Sequence, residues 1–246
     1  MAKFGPQSKK IELFRVGVER GAGGFNAAWC LDLPGCYALV PPGADLTERV
    51  SLAILEFTAW AHQRSADRLT IAAAQVEVVQ SLETGEDLRN GDTSAFFLHD
   101  GELLGAKEFP MWANPHDRAL DELRDFALAL PAALQSHRLD ADGRTLLGTV
   151  QHAAATERFY AAQLRPGAGG TGRVGEDPSL RELQDAHLNL QQVVCDVPQD
   201  LRVRRETSSL HPVEEWTVRK VMRRSIWHLR YHTWELRRAI GGIWLD

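Results

Sequence analysis

Three cysteines in 246 residues are too few, and odd in number, for a disulfide framework. Cys30 and Cys36 could face each other across a hairpin, and they read as reduced structural thiols of a cytosol, as does Cys195. No apolar run approaches the roughly 18–20 residues that cross a bilayer. Met1 to Lys10 lacks the apolar core of a secretory leader, so a cytoplasmic protein with no membrane partner is expected. An excess of basic charge is also missing: 28 Lys and Arg stand against 33 Asp and Glu, a net charge of -5, which argues against wholesale nucleic-acid binding. Local basic clusters exist at Arg202, Arg204 and Arg205 and at Arg219, Lys220, Arg223 and Arg224, and they read as a loop and a solvated helix face.

What remains is a chain of ordinary globular composition, 44% apolar and 25% charged. At roughly 150 residues per domain it has room for one large domain or two small ones. The first part is mixed α/β. Ile11–Val18, Phe25–Leu31 and Gly35–Val40 are β-rich runs separated by Gly21–Gly24 and by the turn around Pro34-Gly35. Asp45 with Glu48 three residues on predicts a capped helix start, and Leu46, Val50, Ala53, Ile54, Phe57, Trp60 and Ala61 follow at helical spacing. Val76–Leu82 predicts a strand, Gly85–Asp92 a polar turn, and Ala95–Leu98 one more strand.

Near residue 110 the β-branched runs stop. Pro110 and Pro115 bracket an expected connector, Met111–Asn114, and four helical patterns follow. These span about Arg118–Leu134, with Pro131 as a kink or stop, Thr145–Leu164, Pro178–Val197, and Pro212 or Glu214 to Ile240, where Gly241 and Gly242 end the last one. A Gly-rich loop, Gly167–Gly175, separates the second and third. The expected fold class is therefore α+β with two domains: residues 1–110 as a small sheet-plus-helix module, and residues 115–246 as a four-helix bundle.

His228 and His232 are the informative pair in the last helix. At i and i+4 they stand about 40° apart around the helix and about 6 Å apart along it, so both imidazoles can reach one metal ion. They also fall on a stripe with Val218, Val221, Ser225 and Ala239. Such an inward pair needs a cation, or hydrogen bonds to a neighbouring carboxylate or carbonyl. A third ligand is open between His152, on an inward flank away from the polar pole of Gln151 and Arg158, and His187 in the third helix. His62, His99, His116, His137 and His211 are weaker candidates by position. Glu157 reads as a packing or salt-bridge residue rather than a general base, and Trp216, Trp227 and Tyr231 read as packing residues.

Two resemblances add to this. Val150-Gln151-His152-Ala153-Ala154-Ala155-Thr156-Glu157, Glu215-Trp216-Thr217-Val218-Arg219-Lys220-Val221 and His228-Leu229-Arg230-Tyr231-His232, followed by Leu236, make residues 115–246 resemble the DinB-like (YfiT-like) metalloenzymes. That resemblance implies a four-helix bundle in which one histidine of the second helix and a His-x-x-x-His of the fourth bind a divalent metal. Here those positions are His152, His228 and His232. It further implies a thiol-dependent transferase or isomerase, with a low-molecular-weight thiol and a small electrophile as substrates. Three neutral imidazoles suit zinc, nickel or iron, and copper alike, and leave the ion positive, able to lower the pKa of a thiol or water. Over residues 10–85, Trp29-Cys30-Leu31-Asp32-Leu33-Pro34-Gly35-Cys36-Tyr37-Ala38 with the helix from Asp45 resembles the HicB-like antitoxin fold. No helix-turn-helix or DNA-binding ribbon accompanies it, so the module reads as a fold reused for packing or as a ligand-binding lid. The alternative to an enzyme is a binding or regulatory protein with a structural metal and a partner-binding HicB-like domain. A homodimer is left open.

Overall fold

Asp45 caps the first helix as its position requires: its carboxylate accepts the Glu48 N–H at 3.0 Å. In the computed structural model, which describes residues 10–62, 71–90, 93–105, 107–135, 138, 143–168, 180–205 and 213–243, this helix is α1, Leu46–Ala61. It supplies the crossover between β1 (Lys10–Arg20) and β4 (Ile71–Glu83), which pair in parallel and so cannot be joined by a tight turn. β2 (Asn26–Cys30) and β3 (Tyr37–Val40) continue the sheet antiparallel, giving the order β3-β2-β1-β4. Phe14, Val16 and Val18 alternate inward along β1, while α1 buries Val50, Ile54 and Phe57.

Residues 93–97 are not the expected strand. They pair with no ladder, yet Ala95 and Phe97 are buried. Their alternation serves a different purpose, because the Phe97 ring lies over Gly17 so closely that a Cβ there would sit 2.6 Å from two ring carbons. Only glycine leaves room for that ring on the second face of the sheet.

Packing divides the chain into two compact units, Met1–Phe97 and Leu98–Asp246. The second begins with a 3₁₀ turn, Leu98–Gly101, and continues with α2 (Phe109–Ala129), α3 (Ala132–Gln135), α4 (Leu146–Leu164), α5 (Leu180–Asp196), β5 (Val203–Arg205), β6 (Glu214–Trp216) and α6 (Val218–Ile243). Helix α2 packs on α6, α6 on α4, α4 on α5 and α5 on α2. Among the described residues no helix is long and apolar enough to cross a membrane.

Three expectations about the helices also need correction. The connector Met111–Asn114 is helical. Pro110 sits in the first turn of α2, where N–H groups lack intrahelical acceptors anyway, and Trp112 is drawn into a core with Tyr160, Leu190, Trp216 and Met222. The last helix does not start at Pro212 or Glu214. Glu214–Trp216 is a strand paired with Val203–Arg205, and Thr217 then caps α6 by accepting the Lys220 N–H at 3.2 Å. Gly241 and Gly242 continue α6 rather than ending it.

The basic cluster of α6 is not a solvated face. Arg219, Lys220 and Arg223 are buried. Residues 100–103 and Glu108 cover them: Arg219 donates to the Glu102 and Leu103 carbonyls and to Glu108, and Arg223 forms a two-pronged pair with Asp100. Lys220 meets Glu214 at 2.8 Å and lies over the Trp216 ring. The second basic cluster is partly strand: Arg204 and Arg205 lie in β5, and Arg202 pairs with Glu215.

Candidate metal centre

Two helix caps set the register of the site. Thr145 accepts the Gly148 N–H at 3.0 Å and starts α4, which puts His152 in its second turn. Thr217 starts α6, which carries His228 and His232 one turn apart on the face toward α4. The three imidazoles converge. His152 Nε2 and His228 Nε2 are 3.1 Å apart, and His228 Nε2 and His232 Nε2 are 3.0 Å apart. All three donor nitrogens lie within 4.8 Å of one another. His228 and His232 are buried and His152 is half-buried, so the group opens toward solvent on the α4 side.

Convergence of this kind suits a divalent ion. Two nitrogens each about 2.1 Å from a metal and set at right angles are about 3.0 Å apart, close to both observed spacings. His232 Nδ1 faces Glu235 Oε2 at 3.1 Å, a carboxylate that holds the proton on Nδ1 and leaves the Nε2 lone pair free for the group. Burial, reinforced by His232 and His152, pushes the His228 pKa well below the usual histidine value. It is therefore the neutral, metal-binding form at physiological pH. Cys195, exposed on α5, does not belong to the group. Trp227 and Tyr231 stack at 5.5 Å between ring centres beside the pair, and Tyr231 lies 5.4 Å from the His232 ring. Trp216 is a core residue.

A second polar group lies in the same unit. His187, the competitor for third ligand, does not join His228 and His232. It belongs with His116 and Glu157, and His187, His116 and Glu157 are 1%, 0% and 0% exposed. His116 Nε2 is 2.9 Å from Glu157 Oε2 and 2.7 Å from Ser225 Oγ, and the Ser225 hydroxyl donates to Glu157 Oε1. His187 Nε2 meets Asp117 Oδ1 at 2.9 Å, and Gln191 donates to the same oxygen at 2.6 Å. The His116 and His187 rings lie 3.9 Å apart, centre to centre. Burial works against charge on Glu157, but His116 and His187 overcome it and hold the carboxyl far below the usual range. Burial likewise opposes charge on His187, yet the carboxylates of Asp117 and Glu157 raise its pKa to about 9. His116, desolvated and beside His187, is pushed below the usual histidine value.

Of the remaining histidines, His62 caps the end of α1 and His99 pairs with Glu102 at 2.8 Å. His137 and His211 lie outside the described residues. The reading from sequence missed Glu235 and did not bring His116 and His187 together, although Glu157, read as a packing or salt-bridge residue, is indeed buried in ion pairs with both. Glu235 carried a signal, since a carboxylate three residues after a helical histidine can reach its ring. Compared with protein-family models, with curated proteins and with solved structures, the chain matches none.

Proposed function

We propose that this chain is a divalent-metal-dependent enzyme of the DinB-like class, in which α2, α4, α5 and α6 form a four-helix bundle and His152, His228 and His232 hold the ion. The observation that carries the reading is the convergence of three imidazole Nε2 atoms, two of them on one buried helix face. An ion held there would act as a Lewis acid that makes a low-molecular-weight thiol nucleophilic at neutral pH, the chemistry of a small-thiol transferase acting on an electrophilic carbon. The protein's own contribution is orientation and charge state. Glu235 fixes the His232 tautomer, and burial keeps His228 neutral. The half-buried His152 marks the side from which a small substrate reaches the group. The N-terminal unit is read as HicB-like, and the free thiols Cys30, at the end of β2, and Cys36, just before β3, fit a reducing cytoplasm.

The test is a cobalt-substituted, untagged protein titrated with 2-mercaptoethanol. A thiolate-to-metal charge-transfer band is expected in the wild type and is lost in His232→Ala. No band in a protein that holds cobalt at this group would refute the thiol chemistry. Metal content unchanged in both His228→Ala and His232→Ala would refute the site itself. A fourth protein ligand closing the group would favour a structural metal; among the described residues no further His, Cys, Asp or Glu joins it.

A further inference from the structure

We infer that His116, Glu157 and His187 form a second divalent-cation site, separate from the three-histidine group and closed to solvent. Four helices build it: α2 supplies His116 and Asp117, α4 Glu157, α5 His187 and α6 Ser225. The donor atoms lie within 4.8 Å of one another. Glu157 Oε2 is 2.9 Å from His116 Nε2 and 3.4 Å from His187 Nδ1. An ion about 2.1 Å from each donor would subtend angles of about 87° and about 108° at these two edges, close to octahedral and tetrahedral values respectively. The Ser225 hydroxyl, 2.7 Å from His116 Nε2, offers an oxygen beside them.

The decisive feature is what surrounds His187. Its Nε2 faces Asp117, the arrangement of a carboxylate that orients a metal-bound imidazole from outside. With the proton on that nitrogen, the Nδ1 lone pair points toward the ionised Glu157. Nδ1 is buried and makes no hydrogen bond. Either a proton on Nδ1 or a cation must lie between these two atoms, and their 3.4 Å spacing, without a hydrogen bond, is one that a metal bound to both would give. Burial points the same way. Glu157 is a charge that water cannot reach, and a cation held between it and the two imidazoles would pair it, while Asp117, 57% exposed, is solvated and serves to orient His187. A donor set of two imidazoles and one carboxylate suits first-row divalent metals such as zinc, manganese or ferrous iron. Because these side chains are buried while His152 is half-buried, the ion here exchanges slowly and the ion of the three-histidine group exchanges fast.

The experiment counts metal on the untagged full chain, stripped with chelator, refolded with zinc and desalted. Two zinc ions per chain are expected, released in two kinetic phases when chelator is added to the native protein. His232→Ala should keep one ion and lose the fast phase. Glu157→Gln and His187→Gln should keep one and lose the slow phase. The inference is overturned if wild type saturates at one ion that His232→Ala abolishes, or if a folded Glu157→Gln variant binds as many ions as wild type. Should the Glu157 and His187 variants fail to fold, the His232→Ala count alone decides: one ion retained supports the second site, and none retained refutes it. An ion count that His232→Ala leaves untouched would instead refute the three-histidine reading, so the two failures are distinct.

Discussion

Replacing Arg223 by Met tests whether the basic stretch of α6 is interior. The guanidinium donates from Nε to Asp100 Oδ1 at 3.0 Å and from a terminal nitrogen to Oδ2 at 2.7 Å, with both side chains no more than 2% exposed. Met keeps much of the apolar stem, so the loss is chiefly electrostatic. It leaves a carboxylate where water cannot reach it, and breaking one side of such a pair costs about 3–5 kcal/mol. Removing Asp100 as well, as Arg223→Met/Asp100→Leu, takes away the stranded charge, and the double variant should recover most of the loss. Urea denaturation followed by tryptophan fluorescence reads the outcome. With a slope of about 3 kcal/mol per molar urea, the single variant should shift the midpoint by about 1–1.7 M with little change in slope. A shift worth less than about 0.5 kcal/mol, the range of ordinary surface substitutions, would refute the reasoning and restore the solvated-face reading.

Three further outcomes are expected. Gly17→Ala should destabilise the N-terminal unit by about 1–3 kcal/mol through collision with Phe97, and Phe97→Leu should relieve part of it; an unchanged melting profile would show that the ring does not cover the sheet as described. Asp45→Ala should cost about 1 kcal/mol by leaving the Glu48 N–H without its cap, while Asp45→Ser should be nearly neutral in the same melt. Lys220, whose burial pushes its pKa down to about 8 against the pull of Glu214, gives a pH signature. Between pH 8 and the usual lysine value of about 10.5 the unfolded chain binds the proton and the folded chain does not, so stability rises with pH across that window. That gap corresponds to about 3 kcal/mol, measurable as the difference between wild type and Lys220→Met; parallel pH profiles for the two proteins would contradict it.

The parts of the fold that were legible rest on local chemistry. Asp45 and Thr145 are short polar acceptors just before apolar periodic runs, and α1 and α4 begin directly after them. His228 and His232 were legible because one helix fixes their spacing, whereas His152 depends on how α4 is rotated against α6, which local periodicity left open. The polar face of α6 was misread for a related reason. Arg219 and Arg223 do fall on the side away from Val218, Val221 and Leu229, and only the return of Asp100, Glu102, Leu103 and Glu108 across that side turns it into interior. The second group was the least legible, since His116, Glu157 and His187 come from three different helices. One signal did exist. Ala153, Ala154, Tyr160 and Ala161 stand three and four residues either side of Glu157, and all four are buried, so the carboxylate occupies an apolar face that a solvated glutamate would avoid.

That placement ties the two groups together. Glu157 follows His152 along α4, and Ser225 precedes His228 by three residues along α6, so the same two helices carry both sets in consecutive layers. Glu157 is close enough to His228 to oppose the effect of burial on its ring. An interior that accommodates three histidines in one layer, and two histidines, a glutamate and a serine in the next, gives up apolar packing in both. Each of these groups costs free energy unless it is partnered. His228 Nδ1, His116 Nδ1 and His187 Nδ1 are buried without a hydrogen bond, so hydrogen bonding within the protein leaves part of that cost standing. Stability alone would select Leu or Ala at such positions. Imidazoles and a carboxylate at those positions are what the two proposed metal sites require, and replacing them with apolar residues should raise stability while abolishing metal binding.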